Sequence, residues 1–275
     1  MKVNVRVLPF DMRDYEEYRL ILGLWEQGES KLAISRATGI PRATVRDCIN
    51  RYQSVSCLEQ NRSLASRSSP DYLLQRLQNA EHVRLQAAYA YVLGMYLGDG
   101  YIVQNKRIYY LRIALDENYP TIIQRCVQGL HVLLPHNKTN VLKMQAGKWV
   151  EVICTYKFWP EVFPQHGPGY KHERSIKLEP WQQQIIDQHP LELFRGLYHS
   201  DGSRFSNVVN GKDYPRYSFT NRSNHICQLF CDTCDRLGIH WTVKHRKSLN
   251  DRATDIFISR RRDVAYLDQV VGPKC

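Results

Sequence analysis

The chain has 275 residues, of which 43% are hydrophobic, and a formal net charge of +11. This length allows two domains, or one domain with an appendage, and the positive charge favours a polyanionic partner such as nucleic acid. The sequence contains no run of eighteen apolar residues and no apolar signal core, so we expect no membrane span and a cytoplasmic protein, whether nucleoid-associated or organellar.

The eight cysteines are scattered and follow no disulfide framework. In an intracellular protein such a distribution indicates mostly buried thiols in a reducing compartment.

Residues 14–52 predict three short helices, and we assign an N-terminal domain to residues 1–53. Gly39 provides the turn between the second and third helices, because glycine enters the left-handed conformation freely. Pro41 suits the first turn of the third helix. The small core of this domain is predicted to contain Ile34, Ile40, Val45 and Ile49.

The run from residue 34 to residue 46 resembles the helix-turn-helix of resolvase-like and related regulators. The resemblance depends on the small Ser35, on Gly39 in the turn and on the aliphatic Val45. It implies that the third helix enters the major groove of DNA, or contacts phosphates there, through Arg42, Thr44, Arg46 and Asn50. The alternative is a plain three-helix bundle with a solvated basic face.

Residues 54–78 are interpreted as a basic linker. The stretch as far as Pro70 is rich in Ser, Arg, Asn and Gln, and its two leucines, Leu58 and Leu64, are isolated. Residues 71–86 again show a helical pattern and lead into the next element.

A motif at residues 91–100 (YVLGMYLGDG) recurs, altered, at residues 193–202 (LFRGLYHSDG). Each copy has two small residues four positions apart, followed by Asp-Gly. Residues at this spacing share one helix face, so we expect two helices in close contact through Gly94, Gly98, Gly196 and Ser200. Such contact would bring Asp99 and Asp201 side by side at one end of the interface.

Alternating and helical patterns around each motif predict the same order, helix-strand-strand-helix-strand-strand-helix. In the first half, residues 79–188, we predict strands at 101–104, 107–115, 141–145 and 149–156 and helices at 119–134, 159–163 and 181–188. In the second half, residues 189–275, we predict strands at 203–209, 214–221, 241–244 and 255–259 and helices at 226–237 and 261–270. The hairpin turns are placed at 105–106, 146–147 and 210–211.

The two carboxylates predict a metal site, because facing hard oxygens suit Mg²⁺. We assign the site to Asp99 and Asp201 together with the adjacent Gly98 and Ser200. Mn²⁺ is an alternative cation, and Ca²⁺ would suit a non-cleaving complex. The competing interpretation is that each Asp-Gly merely ends a helix in a turn.

These motifs resemble those of the LAGLIDADG homing endonuclease family in its two-motif, single-chain form, from about residue 79 onward. The eighth motif position, the metal-binding acid of that family, falls on Asp99 and Asp201. The chain departs at the sixth position, where the usual Asp is replaced by Leu97 and His199. The resemblance implies an α+β fold in which two αββαββα halves form a saddle over DNA, preceded here by the small all-α domain.

The resemblance also implies a function, a divalent-metal-dependent, sequence-specific double-stranded DNA endonuclease that leaves short 3′ overhangs. It implies a lysine at the end of each half, which falls on Lys171 and Lys274 by position. The alternative for either lysine is a phosphate contact. The alternative function is a non-cleaving transcription regulator on the same fold, and the presence of both motif acids favours cleavage.

Strand alternation selects the side chains that we expect to face DNA. The partner is a duplex with an extended target site, bound by a monomer. The selected residues, with two further arginines near the motifs, are Tyr110, Arg112, Arg174, Arg204, Arg216, Ser218 and Thr220.

The second half also contains His225, His240 and three cysteines that could suggest zinc. However, Cys227, Cys231 and Cys234 lie at i, i+4 and i+7, which is one stripe of an amphipathic helix. We therefore favour a buried core role for these cysteines over a metal site.

Overall fold

The computed structural model describes residues 15–59, 70–144, 147–245, 253–272 and 274. The chain divides into a first unit, Met1–Tyr72, and a second unit, Leu73–Cys275. Among the described residues, no helix is long and apolar enough to cross a bilayer.

The first unit contains α1 (Tyr15–Glu26), α2 (Lys31–Thr38) and α3 (Arg42–Tyr52), which confirms the three predicted helices. Ser30 caps α2 by accepting a hydrogen bond from the Ala33 amide at 3.2 Å, and Gly39 ends it at a φ of 70°.

The four predicted core residues of this unit, Ile34, Ile40, Val45 and Ile49, are all buried. A further helical turn at 55–59 adds Leu58, which is only 1% exposed. Leu58 therefore belongs to the core of the first unit rather than to a solvated linker.

The second unit is built from two similar halves, each with a four-stranded antiparallel sheet. The first half contains α4 (Pro70–Gln78), α5 (Val83–Asp99), β1 (Gly100–Asn105), β2 (Ile108–Asp116), α6 (Pro120–Leu133), β3 (Thr139–Lys143), β4 (Trp149–Thr155) and α7 (Trp159–Val162). The second half contains α8 (Pro180–Gln188), α9 (Pro190–Asp201), β5 (Gly202–Val209), β6 (Lys212–Asn221), α10 (Asn224–Arg236), β7 (Thr242–His245), β8 (Thr254–Ile258) and α11 (Arg261–Val270). The strand orders β1-β2-β4-β3 and β5-β6-β8-β7 are equivalent.

This α+β architecture confirms the predicted order of helices and strands. The turn at Asn210 and Gly211 lies where it was predicted, and both residues have left-handed φ values of 50° and 73°. The first hairpin turn lies one residue later than predicted, because Asn105 still pairs with Ile108 across the strands. Ala146, predicted in a turn, lies outside the described residues.

Helix α4 occupies Pro70–Gln78, the end of the stretch that was assigned to the linker. Leu73 and Leu77 are 1% and 0% exposed and pack in the core of the second unit. Their burial explains why residues 70–78 are helical, since an amphipathic segment gains stability by covering apolar surface.

The core of the second unit lies between the motif helices and the inner face of each sheet. Leu111, Ile113 and Leu115 of β2 point into it, as do Tyr217 and Phe219 of β6. Phe219 stacks on Phe230 of α10, with ring centroids 4.3 Å apart.

Three cysteines of α10 complete this core. Cys227, Cys231 and Cys234 are 6%, 4% and 0% exposed and pack among the buried apolar residues. Their burial confirms that they form the core stripe of an amphipathic helix.

Candidate functional site

Helices α5 and α9 pack backbone to backbone at their glycines. A Cβ atom at Gly94 would lie only 2.6 Å from the Leu197 amide nitrogen and 2.8 Å from the Gly196 Cα. A Cβ atom at Gly196 would overlap the carbonyl oxygen of Tyr91. Only glycine fits these two positions, so the sequence motif sets the distance between the helices.

The same interface brings Asp99 and Asp201 together where α5 and α9 end. A Cβ atom at Gly98 would overlap the hydroxyl of Ser200 and would lie 2.9 Å from Asp201 Oδ2. The Asp201 carboxylate therefore lies against the residue that precedes Asp99. Helices α5 and α9 end at these two acids, as the repeated Asp-Gly predicts.

The carboxyl groups of Asp99 and Asp201 are half-buried, and burial raises the pKa of each. Burial raises the pKa of Asp99 to about 7, and repulsion from Asp201 adds to the effect, while Lys274 and Lys171 oppose it. Burial also raises the pKa of Asp201, against a hydrogen bond from Asn221 and the charges of the two lysines. Such a pair has a strong electrostatic reason to bind a cation.

Asn221 makes the two acids inequivalent. Its Nδ2 donates to Asp201 Oδ2 at 2.7 Å, and its Oδ1 accepts from the Ser223 amide at 2.8 Å, so the side chain is held at both ends. The sheet registers place Leu115 at the matching position of the first half. Sequence reasoning missed Asn221, because nothing in the sequence marks the last residue of β6 as close to the motif.

A lysine from elsewhere in the chain lies beside each motif. Lys171 Nζ donates to the carbonyl oxygens of Tyr96, Gly98 and Gly100 at 2.6, 2.8 and 2.8 Å and lies 5.3 Å from the Tyr96 ring centroid. Burial lowers the pKa of Lys171 to about 8, although the charges of Asp201 and Asp99 oppose the shift. Lys171 therefore satisfies carbonyl oxygens at the C-terminal end of α5.

Lys274 has the equivalent place on the second motif. Its Nζ donates to the Ser200 carbonyl at 2.9 Å and lies 5.8 Å from the ring centroid of Tyr198, the counterpart of Tyr96. Burial lowers its pKa, and Asp99 and Asp201 again oppose the shift. Both lysines selected from the sequence thus lie beside the two acids.

A cavity of about 410 Å³ opens next to Asp99 and is also lined by His199, Ser200 and Lys274. His199 Nδ1 lies 3.1 Å from the Tyr91 hydroxyl. Burial, with the charges of Arg125 and Lys274, lowers the pKa of His199 to about 3 and keeps the ring neutral. The sequence marked His199 only as a departure from the family motif, so this place in the cavity was not predicted.

A divalent cation at this site would need oxygen ligands. Among the residues that the structure describes, no group of three or more His, Cys, Asp and Glu converges on one point. The two carboxylates supply hard oxygens that fit Mg²⁺ or Mn²⁺. The carbonyl oxygens of Gly98 and Ser200 accept hydrogen bonds from Lys171 and Lys274 respectively, and each keeps a second lone pair.

The remaining predicted residues fall mainly on the open faces of the sheets, away from the core. On β2, Tyr110 and Arg112 alternate with the buried Leu111 and Ile113. On β6, the three predicted residues alternate with the buried Tyr217 and Phe219; they are Arg216, Ser218 and Thr220.

Two predicted DNA contacts are placed differently. Arg204 pairs with Tyr217 and shares its inward face, where its guanidinium binds both oxygens of Asp268 at 2.7 and 2.9 Å. The Nη1 atom of Arg174 donates to the carbonyl oxygens of Gly167 and Pro168, in the loop that leads to Lys171. Both arginines therefore make local hydrogen bonds near the motifs.

In the first unit, the residues predicted to face DNA lie on α3, with Arg42, Thr44 and Arg46 in its first half and the exposed Asn50 near its end. Arg42 and Arg46 are exposed and Thr44 is half-buried, while Val45 between them is buried. Arg46 Nε donates to the neighbouring Asp47 at 3.1 Å. The exposed side of α3 therefore carries Arg42 and Arg46 together with the acidic Asp47.

No family model matches the chain, and no curated protein matches it. Similar solved structures include I-DmoI in complex with DNA and Mn, with 16% identity over 68% of this chain and 97% of that chain and a TM-score of 0.49. The N-terminal LAGLIDADG domain of DUF199/WhiA has 11% identity over 75% and 93%, with a TM-score of 0.46. Full-length DUF199/WhiA from Thermatoga maritima has 12% identity over 74% and 61%, also with a TM-score of 0.46.

Proposed function

We propose that the second unit is a sequence-specific double-stranded DNA endonuclease that uses a divalent cation held by Asp99 and Asp201. The observation that carries the proposal is the pair of half-buried carboxylates at the end of two helices in backbone contact. Holding two like charges together in a partly desolvated place is costly, and a divalent cation relieves both the repulsion and the burial cost.

The protein groups around the acids have separate tasks. A bound Mg²⁺ or Mn²⁺ would activate water and neutralise charge that develops on a phosphodiester. Lys171 and Lys274 place an ammonium group beside each acid, where it can stabilise that charge. The lowered pKa of Lys171 also suits a group that gives up a proton near neutral pH.

The open faces of the two sheets would contact the duplex in the manner of a saddle. Arg112 on one face and Arg216 on the other supply positive charge, and Ser218 and Thr220 supply hydroxyl groups for base edges. The net charge of +11 supports binding to phosphates over an extended site. Arg42, Thr44 and Arg46 of the first unit would add contacts outside the central site.

A second candidate function is a DNA-binding regulator that does not cut. The observation that favours it is the position of the two lysines, which donate to the backbone carbonyls beside the acids. An ammonium group in that place can neutralise the carboxylates without a metal.

The test begins with selection of a target duplex by the full chain in Ca²⁺. A supercoiled plasmid carrying that target is then incubated with Mg²⁺ or Mn²⁺. We expect nicking and linearisation by the wild type, and a loss of at least about 100-fold in Asp99→Asn and Asp201→Asn, since each removes charge stabilisation at the reacting phosphate. Asp232→Asn, an isosteric change on the surface of α10, should cut normally.

Specific binding by the wild type without cutting in either cation would support the regulator and overturn the endonuclease. Retention of cutting in both motif variants would overturn the role of the two acids.

A further inference from the structure

Glu151 is a buried carboxylate on the open face of the first sheet. Its side chain is only 3% exposed, and both of its oxygens accept hydrogen bonds. The Tyr101 hydroxyl donates to Oε1 at 2.6 Å, and Arg112 Nη1 donates to Oε2 at 3.0 Å. A negative charge on a face that meets phosphates is unfavourable for non-specific binding, so this acid calls for another explanation.

Three neighbouring strands bring this group together. Tyr101 of β1 lies opposite Arg112 of β2, and Glu151 of β4 lies opposite Ala114 of β2. The small Ala114 leaves room for the tyrosine ring to reach across β2. We call Tyr101, Arg112 and Glu151 the first-sheet triad.

The triad fixes the direction of Arg112. Its Nη1 is bound to Glu151, and its Nε is buried without a hydrogen-bond partner among the described residues. The side chain is 35% exposed, so the terminal edge of the guanidinium is what remains for a ligand. Two N–H groups in a fixed plane match O6 and N7 of guanine in the major groove.

We propose that Arg112 reads one guanine of the target and that Glu151 and Tyr101 are its positioning residues. The inference rests on the proposed DNA-binding function and specifies part of its substrate, a G·C pair in the half-site under the first sheet. Holding the guanidinium before binding lowers the rotamer entropy that recognition costs. Pairing with Glu151 also weakens the attraction of Arg112 to phosphates and leaves it for a base.

The second sheet provides a natural comparison. Its register places Asp255 at the position of Glu151, opposite Thr220, whose hydroxyl donates to Asp255 at 2.7 Å. Ser218 occupies the position of Arg112. Both sheets thus keep an acid at this place, but only the first sheet combines it with an arginine at the Arg112 position.

This pair of acids gives a matched control. The experiment selects duplexes from a random library with the full chain in Ca²⁺, and compares wild type, Glu151→Gln and Asp255→Asn. Each substitution removes one negative charge from an equivalent place, so both should raise affinity for non-specific DNA. Only Glu151→Gln should also lower the preference for guanine at one base pair, by about tenfold, which is the lower range for a bidentate contact.

Arg112→Lys should lose the same preference without a rise in non-specific affinity, since it keeps the charge and loses the planar fork. Tyr101→Phe keeps every charge and should reduce the preference about threefold with an unchanged salt dependence. Arg112→Lys and Tyr101→Phe test whether the first-sheet triad reads a guanine even where Glu151→Gln does not fold.

The inference is overturned if Glu151→Gln raises binding to all duplexes alike and keeps every base preference. It is also overturned, together with the proposed function, if the wild type selects no sequence. Selection of a guanine through Arg112 by a wild type that does not cut would leave the inference standing and remove only the endonuclease.

Discussion

The two halves of the second unit share a backbone frame and differ in the side chains around it. Both have a small residue facing the partner helix, an Asp-Gly at the helix end and a lysine over a tyrosine. The first half has Leu97 and Leu115 where the second has His199 and Asn221. Features that depend on backbone contact are common to both halves, while the polar surroundings of each acid have diverged.

The shared frame predicts the largest effect. Gly196→Ala would place a methyl group onto the Tyr91 carbonyl, which is backbone and cannot move aside cheaply. We expect a loss of about 3 kcal/mol in the free energy of unfolding of the second unit, because overpacking against a rigid neighbour forces the helices apart. Urea denaturation followed by circular dichroism measures this loss.

Gly129→Ala in α6 is the control for this prediction. A Cβ atom there would lie within 3 Å of Val92 Cγ2 alone, at 2.9 Å, a side-chain methyl group rather than backbone, so the loss should be smaller than in Gly196→Ala, about 1 kcal/mol. Equal losses in the two variants would show that the backbone contact of α5 and α9 is not the special constraint.

The sequence predicted the fold where local hydrophobic patterns were clear. The helical and alternating periods located the helices and strands, and the two motifs identified the glycine contact between α5 and α9. Arg204 was selected for its place near the motif; its partner across β5 and β6, Tyr217, faces inward, and only the register reveals this. The helical pattern over residues 71–86 predicted helix here, but the end of α4 at Gln78 and the burial of Leu73 and Leu77 depend on tertiary contacts.

The site was predicted where residues belong to the motif and missed where they come from other strands. The pairing of Asp99 with Asp201 follows from the repeat, and Lys171 and Lys274 followed from the family resemblance. Asn221 and Glu151 have no such signal, since each depends on the strand that happens to lie beside it.

The two lysines differ in how firmly they are held, which predicts an intermediate effect. Among the residues that the structure describes, Lys171 donates to three carbonyl oxygens and Lys274 to one. Lys171→Met should therefore destabilise the second unit more than Lys274→Met, by about 1–2 kcal/mol, because buried acceptors that lose a charged donor are costly. Relief of ammonium burial offsets part of both losses.

Urea denaturation without added metal measures the difference between these two variants. Lys143→Met, on an exposed side chain, should change stability by less than about 0.5 kcal/mol. Equal losses at Lys171 and Lys274 would mean that the carbonyl contacts contribute little.

The smallest effect concerns an ionic contact that only the second half has. Arg204 binds Asp268 where the first half has the buried Ile102. The hydrogen bond from Arg204 holds the pKa of Asp268 below its usual value. The unfolded chain therefore binds a proton more readily than the folded one, so the stabilisation is present above the ordinary pKa and is lost as pH falls through the lowered one.

Asp268→Asn should accordingly reduce stability by about 1 kcal/mol at pH 7, a value kept small by the partial exposure of both side chains. The difference from wild type should shrink towards zero as pH falls through the lowered pKa of Asp268, because both chains then carry an uncharged side chain at this position. Urea unfolding at pH 7 and at a pH below that lowered pKa measures both values. Asp213→Asn, an exposed acid on β6, should show no such convergence. A deficit in Asp268→Asn that is the same at both pH values would assign the contact to packing rather than to charge.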